Sequence, residues 1–432
     1  MNNLTTVILV AGKSTRFKSS KSKIFHELGG LPIIDHVYLA VKNISKEIIF
    51  VCNKQNVNIL KKKFLNCKFV IQAKQHGTAD AVLSAKKLIN DNSNILVLFG
   101  DVPLISSTIL RRMINNYLKN KKAGSMIAFN SSQPFGYGRV LIKNNKVESV
   151  IEEISANLET KKITTCNSGI MLCKYSVLFS FIKQINNKNF KKEKYLTDIF
   201  KIANKNKKGF SYIFCKQEDV LGVNNLNDFN KVDKIYQRNL INKMIAKGVK
   251  ILNPDTIRLS FDTKIGNDVE IEPFVYIKKG VKIDDKTTIK SHTVLESSKI
   301  GKESTVGPFA RLRPNTTLGT NVKVGNYVEI KNSIIGNNTS ISHLSYIGDS
   351  VVGKNVNIGA GTITCNYDGK NKNKTIIQDN VFVGSNSSLI APLIIKKNSK
   401  IGAGSVITKD VPPNSLAVER SKLVFSRKNS NK

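Results

Sequence analysis

Hydrophobic and polar positions follow two different rhythms in the two halves of the chain. From residue 1 to about residue 226, short apolar runs alternate with stretches of helical periodicity, such as 32–43 and 78–90. The apolar runs predict five strands: 6–10, 48–52, 68–72, 95–99 and 125–129. This alternation is typical of an α/β domain with a mostly parallel sheet between helices, in which ligands bind beyond the carboxyl ends of the strands.

A single amphipathic helix follows this region. Between 227 and 247, apolar residues recur at intervals of three or four, and Gly248 then ends the pattern. We therefore expect a linker helix over 227–247 that joins a first domain, 1–226, to a second domain, 248–432.

The second half contains a repeat of six residues. Aliphatic residues recur at six-residue spacing, with occasional five-residue steps: Ile265, Ile271, Ile277, Ile283, Ile289, Leu295, Ile300, Val306, Leu312, Leu318, Val324, Ile330, Ile335, Ile341, Ile347, Val352, Ile358, and then Ile377, Val383, Leu389, Ile395, Ile401 and Ile407. Neither an α-helix nor an amphipathic strand has this period, whereas three hexads close one triangular coil of a β-helix with the aliphatic side chains inside. One segment, 364–375, interrupts the rhythm. It indicates a loop used at a binding face or a tolerated surface insertion.

The first predicted strand is followed by Gly12-Lys13-Ser14-Thr15, which looks like the end of a phosphate-binding P-loop. A Walker loop needs a second glycine five residues before Gly12, and that position is Val7. A Walker NTPase is thereby disfavoured. Small residues after a strand, followed by several cations, still predict phosphate contact, with a basic surface loop as the alternative.

The composition predicts neither a membrane span nor a metal cluster. The chain has 432 residues, 41% of them hydrophobic, and no apolar run approaches the roughly 20 residues that a membrane span requires. The N-terminus lacks the basic start of a signal peptide, so a cytoplasmic location is expected. The six cysteines form no C-x-x-C pair and the five histidines form no cluster, which argues against a disulfide framework or a zinc site.

The formal net charge of +37 is a footprint of nucleic-acid binding. The lysines, however, are spread along the chain together with asparagine and isoleucine, and these three residue types share A/T-rich codons. A compositionally biased genome accounts for this pattern, so no specific nucleic acid is expected as a partner. Anionic small-molecule substrates would still be attracted by such a field.

Motifs in both halves resemble one family of bacterial enzymes. The first half contains "LVAGKSTRF", "QHGTADA", "GDVPLI", "GYGRV", "NSGI", "YLTDIF" and "GVNN", and the second contains "GPFARLRP", "NYVEIK", "SHLSYIGD", "NIGAGTITCNYDG" and "IGAGSVIT". They resemble, in order and over nearly the whole chain, N-acetylglucosamine-1-phosphate uridylyltransferase fused to glucosamine-1-phosphate N-acetyltransferase. The resemblance implies a Rossmann-like nucleotidyltransferase domain, a linker helix and a left-handed parallel β-helix.

For the first half, the resemblance implies uridylyl transfer from UTP to N-acetylglucosamine 1-phosphate with release of pyrophosphate. Both substrates are anions, so the site must neutralise charge. Arg16 and Lys23 match the catalytic cations of the family, and Asp101 and Asn224 match its Mg²⁺ ligands. The positions that match contacts to UDP-N-acetylglucosamine are Leu9, Gly12, Lys23, Gln72, Gly77, Thr78, Gly138, Glu152, Asn167 and Asn224.

For the second half, the resemblance implies acetyl transfer from acetyl-CoA to the amine of glucosamine 1-phosphate. The amine must lose a proton, and His343 matches the general base, with Glu329 placed to orient it. The glucosamine 1-phosphate contacts match Arg313, Lys331, Tyr346 and Asn357, and the acetyl-CoA contacts match Asn366, Tyr367, Ser385, Ala403 and Arg420. Lys372 falls on the loop that interrupts the repeat. The family is trimeric, so a homotrimer is implied, with acetyl sites where neighbouring β-helices meet.

The chain departs from the family pattern at three places. Ser22 stands where the family has a proline before the catalytic lysine, Glu153-Ile154 stand where the family tends to be basic, and the tail after Arg420 is short. The product, UDP-N-acetylglucosamine, would feed peptidoglycan and lipopolysaccharide synthesis. Three alternatives remain open: a related sugar-1-phosphate nucleotidyltransferase with another acyl acceptor, a non-catalytic hexapeptide scaffold, and a nucleic-acid-binding protein.

Overall fold

The computed structural model describes residues 3–12, 14–73, 76–120, 122–187, 193–421 and 423–425. Lys13, one of the cations in the predicted phosphate-contact loop, lies outside the described residues. The chain divides into two compact units, Met1–Ile235 and Tyr236–Lys432.

The first unit contains alternating strands and helices. Its strands are β1 Leu4–Val10, β2 Glu27–Leu28, β3 Leu31–Pro32, β4 Glu47–Cys52, β5 Lys68–Ile71, β6 Asn94–Phe99, β7 Gly124–Asn130, β8 Arg139–Lys143, β9 Lys146–Ile151, β10 Thr165–Lys174 and β11 Phe210–Cys215. Its helices are α1 Ile33–Val41, α2 Val57–Lys63, α3 Thr78–Ser84, α4 Ser107–Asn120, α5 Leu158–Lys161, α6 Tyr175–Ile182 and α7 Asp198–Lys205, and α8 Leu226–Ile245 begins in this unit and continues into the second. The 3₁₀ turns of the chain are Thr15–Phe17, Lys23–Phe25, Lys86–Leu88, Glu153–Ser155, Gln217–Val220 and Pro254–Thr256.

One nine-stranded sheet organises this unit, in the order β5-β4-β1-β6-β10-β7-β11-β9-β8. Each of the five predicted strands is present, within two residues at either end. The prediction of a mostly parallel sheet holds for β5, β4, β1 and β6, and for the pair β7 and β11. Because β10 runs antiparallel to both β6 and β7, and β9 runs antiparallel to β8 and β11, the sheet is mixed.

The carboxyl ends of β1 and β6 meet at one edge of the sheet. Leu9 lies opposite Phe99 in register, and the Gly100 N–H donates to the Leu9 carbonyl at 3.0 Å. A Cβ at position 100 would lie 2.3 Å from Val10 Cγ1, so only glycine fits this close approach. The segments that follow the two strands are thereby held next to each other, as expected for a ligand-binding edge.

The second unit is a parallel β-helix whose short strands stack into three sheets, here called the first, second and third faces. The first face consists of Lys250–Ile251, Glu270–Ile271, Thr288–Ile289, Thr305–Val306, Lys323–Asn326, Ser340–His343, Asn357–Ile358, Phe382–Val383, Lys400–Ile401 and Leu416–Ala417. The second consists of Lys264–Ile265, Lys282–Ile283, Ser298–Ile300, Thr316–Leu318, Ile334–Ile335, Ser350–Val352, Thr375–Ile377 and Leu393–Ile395. The third consists of Tyr276–Ile277, Val294–Leu295, Arg311–Leu312, Glu329–Lys331, Tyr346–Gly348, Ile363–Cys365, Ser388–Ile390 and Val406–Ile407.

The hexad aliphatics form the interior of this β-helix, as the repeat predicts. All of them are at most 5% exposed except the partly buried Ile265 at the first coils. The break in the repeat has a local explanation, because Thr364 occupies the inward position between Ile347 and Leu389 on the third face. Its hydroxyl accepts from the Gly348 N–H at 2.8 Å, which satisfies a polar group inside the coil. The ejected loop spans 366–374, because 364 and 365 still belong to a strand and Thr375 begins the next.

Asparagines stack along one corner of the β-helix and form a ladder. The amide of each donates to the carbonyl oxygen of the next, at 2.9 to 3.2 Å: Asn321, Asn338, Asn355, Asn380, Asn398 and Asn414. All six adopt positive φ, a conformation that asparagine tolerates better than most residues. The ladder continues across the ejected loop without a break, since the bond from Asn355 to Asn380 is 3.0 Å long.

A second column of side chains lies at the corner between the first and third faces. We call Phe274, His292, Phe309, Tyr327 and Leu344 the apolar column. Its rings stack at centroid distances of 4.8, 4.7 and 5.2 Å with planes within 14° of parallel. All five residues are exposed and have positive φ.

Candidate active sites

Two adjoining cavities of the first unit gather every residue predicted for the first site. A cavity of about 1150 Å³ and a cavity of about 290 Å³ share the lining residues Thr78, Phe99, Asp101 and Glu193. The larger cavity is also lined by Arg16, Gly138, Glu152, Asn167 and Asn224. The smaller cavity is also lined by Leu9, Gly12, Lys23, Gln72 and Gly77. The site therefore extends as one cleft over the edge where β1 and β6 end.

Cations and oxygen ligands are paired where the two cavities meet. Lys23 Nζ lies 2.5 Å from Asp101 Oδ2, and Arg16 donates to Asn224 Oδ1 at 3.0 Å. The Val223 N–H donates to the Asp101 carbonyl at 2.9 Å, which keeps the two oxygen-bearing residues side by side. The arrangement presents two positive groups and two metal-type ligands to one space.

The wall near Gln72 depends on a tight backbone approach. Gln72 Nε2 donates to the Gly77 carbonyl at 3.3 Å and to Asp80 Oδ2 at 3.2 Å. Gly77 has φ +113°, and a Cβ there would lie 2.5 Å from the Lys194 carbonyl oxygen, so this position requires glycine. Thr78 begins α3, and its hydroxyl accepts from the Leu196 N–H at 3.0 Å.

The opposite wall is built from β8, β9 and β10. The Asn167 N–H donates to the Gly138 carbonyl at 2.9 Å, and Asn167 Oδ1 accepts from the Gly169 N–H at 2.9 Å. A register shift in β10 follows Asn167 and turns this segment toward the cavity. Glu152 Oε1 accepts from the Thr197 hydroxyl at 2.8 Å.

The cleft residues that the sequence analysis did not predict include Glu193, Tyr195 and Thr197, which line the larger cavity. The motif "YLTDIF" was noted only for its resemblance and carries two of them. Their segment touches both walls, because Leu196 is bonded to Thr78 and Thr197 to Glu152. A polar segment outside any predicted strand gives no periodic signal, so only its motif could have identified it.

In the second unit, His343 lies on the outer surface of the β-helix. Its Nδ1 lies 2.6 Å from Asn326 Oδ1, one coil earlier on the same face. An amide oxygen only accepts, so Nδ1 carries the proton and Nε2 is left as the proton acceptor. Glu329, expected to orient His343, instead accepts from Arg313 at 2.8 Å. Asn326 is therefore the orienting partner in this structure, and its place one coil before His343 could have indicated it.

A cluster of cations lies on the third face. Arg313, held by Glu329, belongs to the coil before Lys331. The Lys372 ammonium beside Lys331 lowers the pKa of Lys331, with Arg313 acting in the same direction and Asp349 opposing it. Arg313, which is already paired with Glu329, and the two lysines together form a natural receptor for a phosphate group.

The remaining predicted residues are distributed around this cluster. Tyr346 is paired in register with Glu329, whereas Asn357 lies on the neighbouring first face beside Ser340. Asn366 Nδ2 donates to Asp349 Oδ2, and the Tyr367 hydroxyl donates to the Gly369 carbonyl at 2.7 Å within the ejected loop. The loop thus begins one coil beyond Asp349 and two coils beyond Lys331.

Ser385, Ala403 and Arg420 occupy successive coils at one corner. A Cβ on Gly359 would lie 2.5 Å from Ser385 N, and one on Gly384 would lie 2.4 Å from Ala403 N. The corner is therefore kept narrow by glycines, which leaves backbone groups accessible to a ligand. Residues 422 and 426–432 of the short tail lie outside the described residues.

Two features are absent from the described ranges. None of the described helices is both long enough and apolar enough to span a membrane. Within the same ranges, no three His, Cys, Asp or Glu side chains are grouped as metal ligands, and all six cysteines are free. A magnesium site would therefore depend on substrate and water oxygens in addition to the protein.

Each half of the chain matches a family of transferases. Residues 6–163 match the MobA-like NTP transferase domain, residues 262–297 match the bacterial transferase hexapeptide (six repeats), and residues 300–395 match the GMPPB C-terminal domain. Fold and matches together define a transferase that combines a nucleotidyltransferase unit with a left-handed hexapeptide β-helix.

Relatives extend over the full chain. The "Bifunctional protein GlmU" of Bartonella bacilliformis is 39% identical over 430 residues, with 98% of this chain and 96% of the relative covered. The GlmU of Buchnera aphidicola subsp. Schizaphis graminum is 43% identical over 430 residues, covering 94% and 92%. The chain belongs to the bifunctional GlmU family. The expectation of a two-activity enzyme for UDP-N-acetylglucosamine synthesis is confirmed.

Proposed function

We propose that Arg16 and Lys23 are the catalytic cations of uridylyl transfer in the cleft of the first unit. A phosphate oxygen of N-acetylglucosamine 1-phosphate bonds to the α-phosphorus of UTP, and the bond from that phosphorus to the bridging oxygen breaks, releasing pyrophosphate. Negative charge develops on the transferred group in the transition state, so nearby cations lower the free-energy barrier of the reaction. The pairs Lys23–Asp101 and Arg16–Asn224, where the two cavities meet, carry this proposal.

Asp101 and Asn224 would hold Mg²⁺. Both offer oxygen atoms, the ligand type that Mg²⁺ prefers, and the backbone bond from Val223 to Asp101 keeps them adjacent. The bound ion would neutralise phosphate charge and would leave Lys23 and Arg16 free to turn from these oxygens toward the substrates. We further propose that Gln72, Gly77 and Thr78 contact the uracil, while Gly138, Glu152 and Asn167 contact the sugar.

In the second unit, we propose that His343 removes a proton from the amine of glucosamine 1-phosphate. The amine nitrogen then bonds to the acetyl carbon of acetyl-CoA, and the carbon–sulfur bond breaks to leave the coenzyme thiol. Support comes from the Asn326 contact, which directs the free Nε2 outward. Arg313, Lys331 and Lys372 would clamp the phosphate.

We propose that the enzyme is a homotrimer whose β-helices contact each other along the apolar column. An exposed stripe of stacked large side chains is unusual on a monomer surface. Its last member, Leu344, directly follows His343, so a second copy packed there would border the acetyl site. The double variant Phe309→Ser/Tyr327→Ser is expected to lower the mass in solution and to abolish acetyl transfer, with uridylyl transfer retained. A trimer of unchanged mass would contradict this surface.

Two further expectations remain proposals. The domain bounds 1–226, 227–247 and 248–432 would be tested by expressing 1–226 alone and measuring uridylyl transfer. A cytoplasmic location is proposed because UTP and acetyl-CoA are supplied there, and fractionation of the source cells would test it.

One assay tests both sites. Purified protein receives glucosamine 1-phosphate, acetyl-CoA, UTP and Mg²⁺, and free thiol and pyrophosphate are measured separately. His343→Ala should lose thiol release by a factor of about 10² to 10⁴. Asp101→Ala should lose pyrophosphate release from added N-acetylglucosamine 1-phosphate by about 10² to 10³. With N-acetylglucosamine 1-phosphate added for every pyrophosphate measurement, loss of both signals in either single variant would contradict two independent sites.

A further inference from the structure

We propose that the ion pair between the buried Arg139 and the partly buried Glu153 positions the sugar-binding wall of the first cleft. Both would act as positioning residues, since the described lining of the cleft includes neither of them. This inference rests on the proposed uridylyl transfer, and it concerns how that site holds the sugar phosphate.

Arg139 is buried at the start of β8. It is 1% exposed, and its guanidinium lies 2.7 Å from Glu153 Oε2. The same nitrogen, Nη1, also donates to the carbonyl of Tyr137, two residues earlier. A buried guanidinium is tolerated only when an acid neutralises it, so Glu153 is required at this position for Arg139 to remain inside.

Glu153 ties this charge to the loop before β8. Its Oε2, which contacts Arg139, also accepts from the Gly136 N–H at 3.3 Å. One carboxylate oxygen and one guanidinium thereby hold the backbone at Gly136 and Tyr137. Gly136, Tyr137 and Gly138 all line the larger cavity. The ion pair consequently determines how this loop faces the cleft.

Glu153 also fixes the direction of its neighbour. Glu152 bonds to Thr197 at the cleft, whereas Glu153 is bonded to Arg139, which does not line the cleft, and to the backbone of Gly136. A 3₁₀ turn begins at Glu153, and the Ser155 N–H donates to the Glu152 carbonyl at 2.9 Å. Anchoring Glu153 therefore holds the Glu152 carboxylate toward the sugar side.

This pair accounts for the acidic residue that follows Glu152 in the chain. A basic side chain at 153 would place a second positive charge against the buried Arg139. In this chain the acidic residue is therefore a working part of the wall.

The test compares three variants with a matched control. Glu153→Gln keeps the size and one acceptor but removes the charge, Glu153→Lys reverses the charge, and Arg139→Leu/Glu153→Leu removes both charges. Glu159→Gln is the control, because Glu159 is an exposed carboxylate on α5 that forms an ion pair with the exposed Lys162 just after that helix. Circular dichroism of each variant reports that the first unit is folded, and acetyl transfer by the same chain reports that the second unit is folded.

We expect Glu153→Gln to raise the KM for N-acetylglucosamine 1-phosphate about tenfold or more, since small displacements of a positioned group are costly. The KM for UTP should stay within about twofold of wild type, and Glu159→Gln should match wild type. The double leucine variant should recover the thermal stability that Glu153→Lys loses, but its KM for the sugar phosphate should remain raised. A purely structural pair would instead recover both.

Hydrogen exchange separates this inference from the proposed function. Amide exchange in 134–138 should quicken in Glu153→Gln but not in Glu159→Gln, whether or not uridylyl transfer is detected. Unchanged exchange, an unchanged sugar-phosphate KM, or equal increases in both KM values would overturn the pair as a positioning device. Wild-type protein that releases no pyrophosphate from UTP and N-acetylglucosamine 1-phosphate would instead refute the proposed function.

Discussion

The side chains of Asn326 and His343 meet across two successive coils of the β-helix. Asn326 Oδ1 and His343 Nδ1 are 2.6 Å apart, and the two residues lie opposite each other in the parallel register of the first face. The repeat itself aligns them, because equivalent positions in adjacent coils lie above each other. A histidine on an exposed strand thus acquires one defined ring orientation.

The first prediction concerns this contact. Asn326→Leu should lower the kcat of acetyl transfer about tenfold, because the His343 ring loses the acceptor that fixes its tautomer. The KM for glucosamine 1-phosphate should change little, since Asn326 is not among the phosphate-binding cations. Thiol release measured at several substrate concentrations gives kcat and KM separately. Pyrophosphate release by the same protein is the control, because it depends on the other site. An Asn326→Leu enzyme with wild-type kcat would show that the orienting contact is unimportant.

The second prediction concerns pH and the paired lysines. The neighbouring Lys372 ammonium lowers the pKa of Lys331 from its ordinary value of 10.5, so Lys331 becomes neutral at a lower pH than a typical lysine. The KM for glucosamine 1-phosphate should therefore begin to rise at a pH below the range in which ordinary lysines titrate. In Lys372→Met the rise in this KM should begin at a higher pH. At neutral pH the KM of the variant should be higher than that of wild type, because one phosphate-binding cation is missing. The substrate amine titrates identically in both proteins and cancels in the comparison.

The lowered pKa of Lys331 also determines how the stability of the folded state changes with pH. Between the lowered pKa and 10.5, the unfolded chain binds more protons at Lys331 than the folded chain does, so the folded state gains stability as pH rises through this window. Below the window, repulsion between the two ammonium groups is fully present. The slope of stability against pH should thus be smaller in Lys372→Met than in wild type. A larger slope in the variant would contradict the assigned cause.

The third prediction separates the two contributions of the asparagine ladder. Asn380 makes two amide bonds, to Asn355 and Asn398, and has φ +59°. Asn380→Gly removes the bonds but keeps the conformation accessible, and should cost about 1 to 3 kcal/mol. Asn380→Ala adds the left-handed penalty, for about 1 kcal/mol more. Urea unfolding followed by circular dichroism at one protein concentration measures both. Equal stability of the two variants would argue against the conformational contribution.

The fourth prediction concerns Ser22, where the family has proline. Its φ of −58° lies within the range that a proline ring adopts, so Ser22→Pro should stabilise the first unit by about 0.4 to 1 kcal/mol. Uridylyl transfer should be retained, because the hydroxyl makes only long contacts of 3.4 Å to Ser14 and Asn56. Ser14→Pro is the matched control, since φ +57° excludes proline there. Thermal unfolding should move upward for the first variant and downward for the second.

Much of the fold follows from periodicity. Every hexad aliphatic after Ile265 is buried, because a period of six admits only one stacking of the coils. The antiparallel strand β10 was not predicted, since its polar start, Thr165 to Gly169, breaks any alternation in hydrophobicity. The inward position of Thr364 was not predicted for a similar reason, because Thr364 is polar where the repeat elsewhere has an aliphatic residue. Local pattern identifies an element only where one face is uniformly apolar.

The candidate sites, too, could be predicted only in part from the sequence. Asp101 could be identified beside a buried strand, and the resemblance supplied the other predicted residues of the cleft. The partners of these residues could not be read from the chain, because Lys23 and Asp101 are 78 positions apart and Arg16 and Asn224 are 208 positions apart. The acid that neutralises Arg139 looked like an irregularity in the motif until the fold brought the two residues together.

The uninterrupted ladder beside the ejected loop has a consequence for how such enzymes diversify. Asn355 and Asn380 are bonded although 25 positions separate them, where 17 separate the preceding pair. The stacking of the coils above and below the loop therefore does not depend on the length of the loop. Segments of other sizes and chemistries could be grafted between Thr364 and Thr375 without disturbing the scaffold. Selection can consequently reshape what the acyl-transfer surface accepts while the framework stays constant.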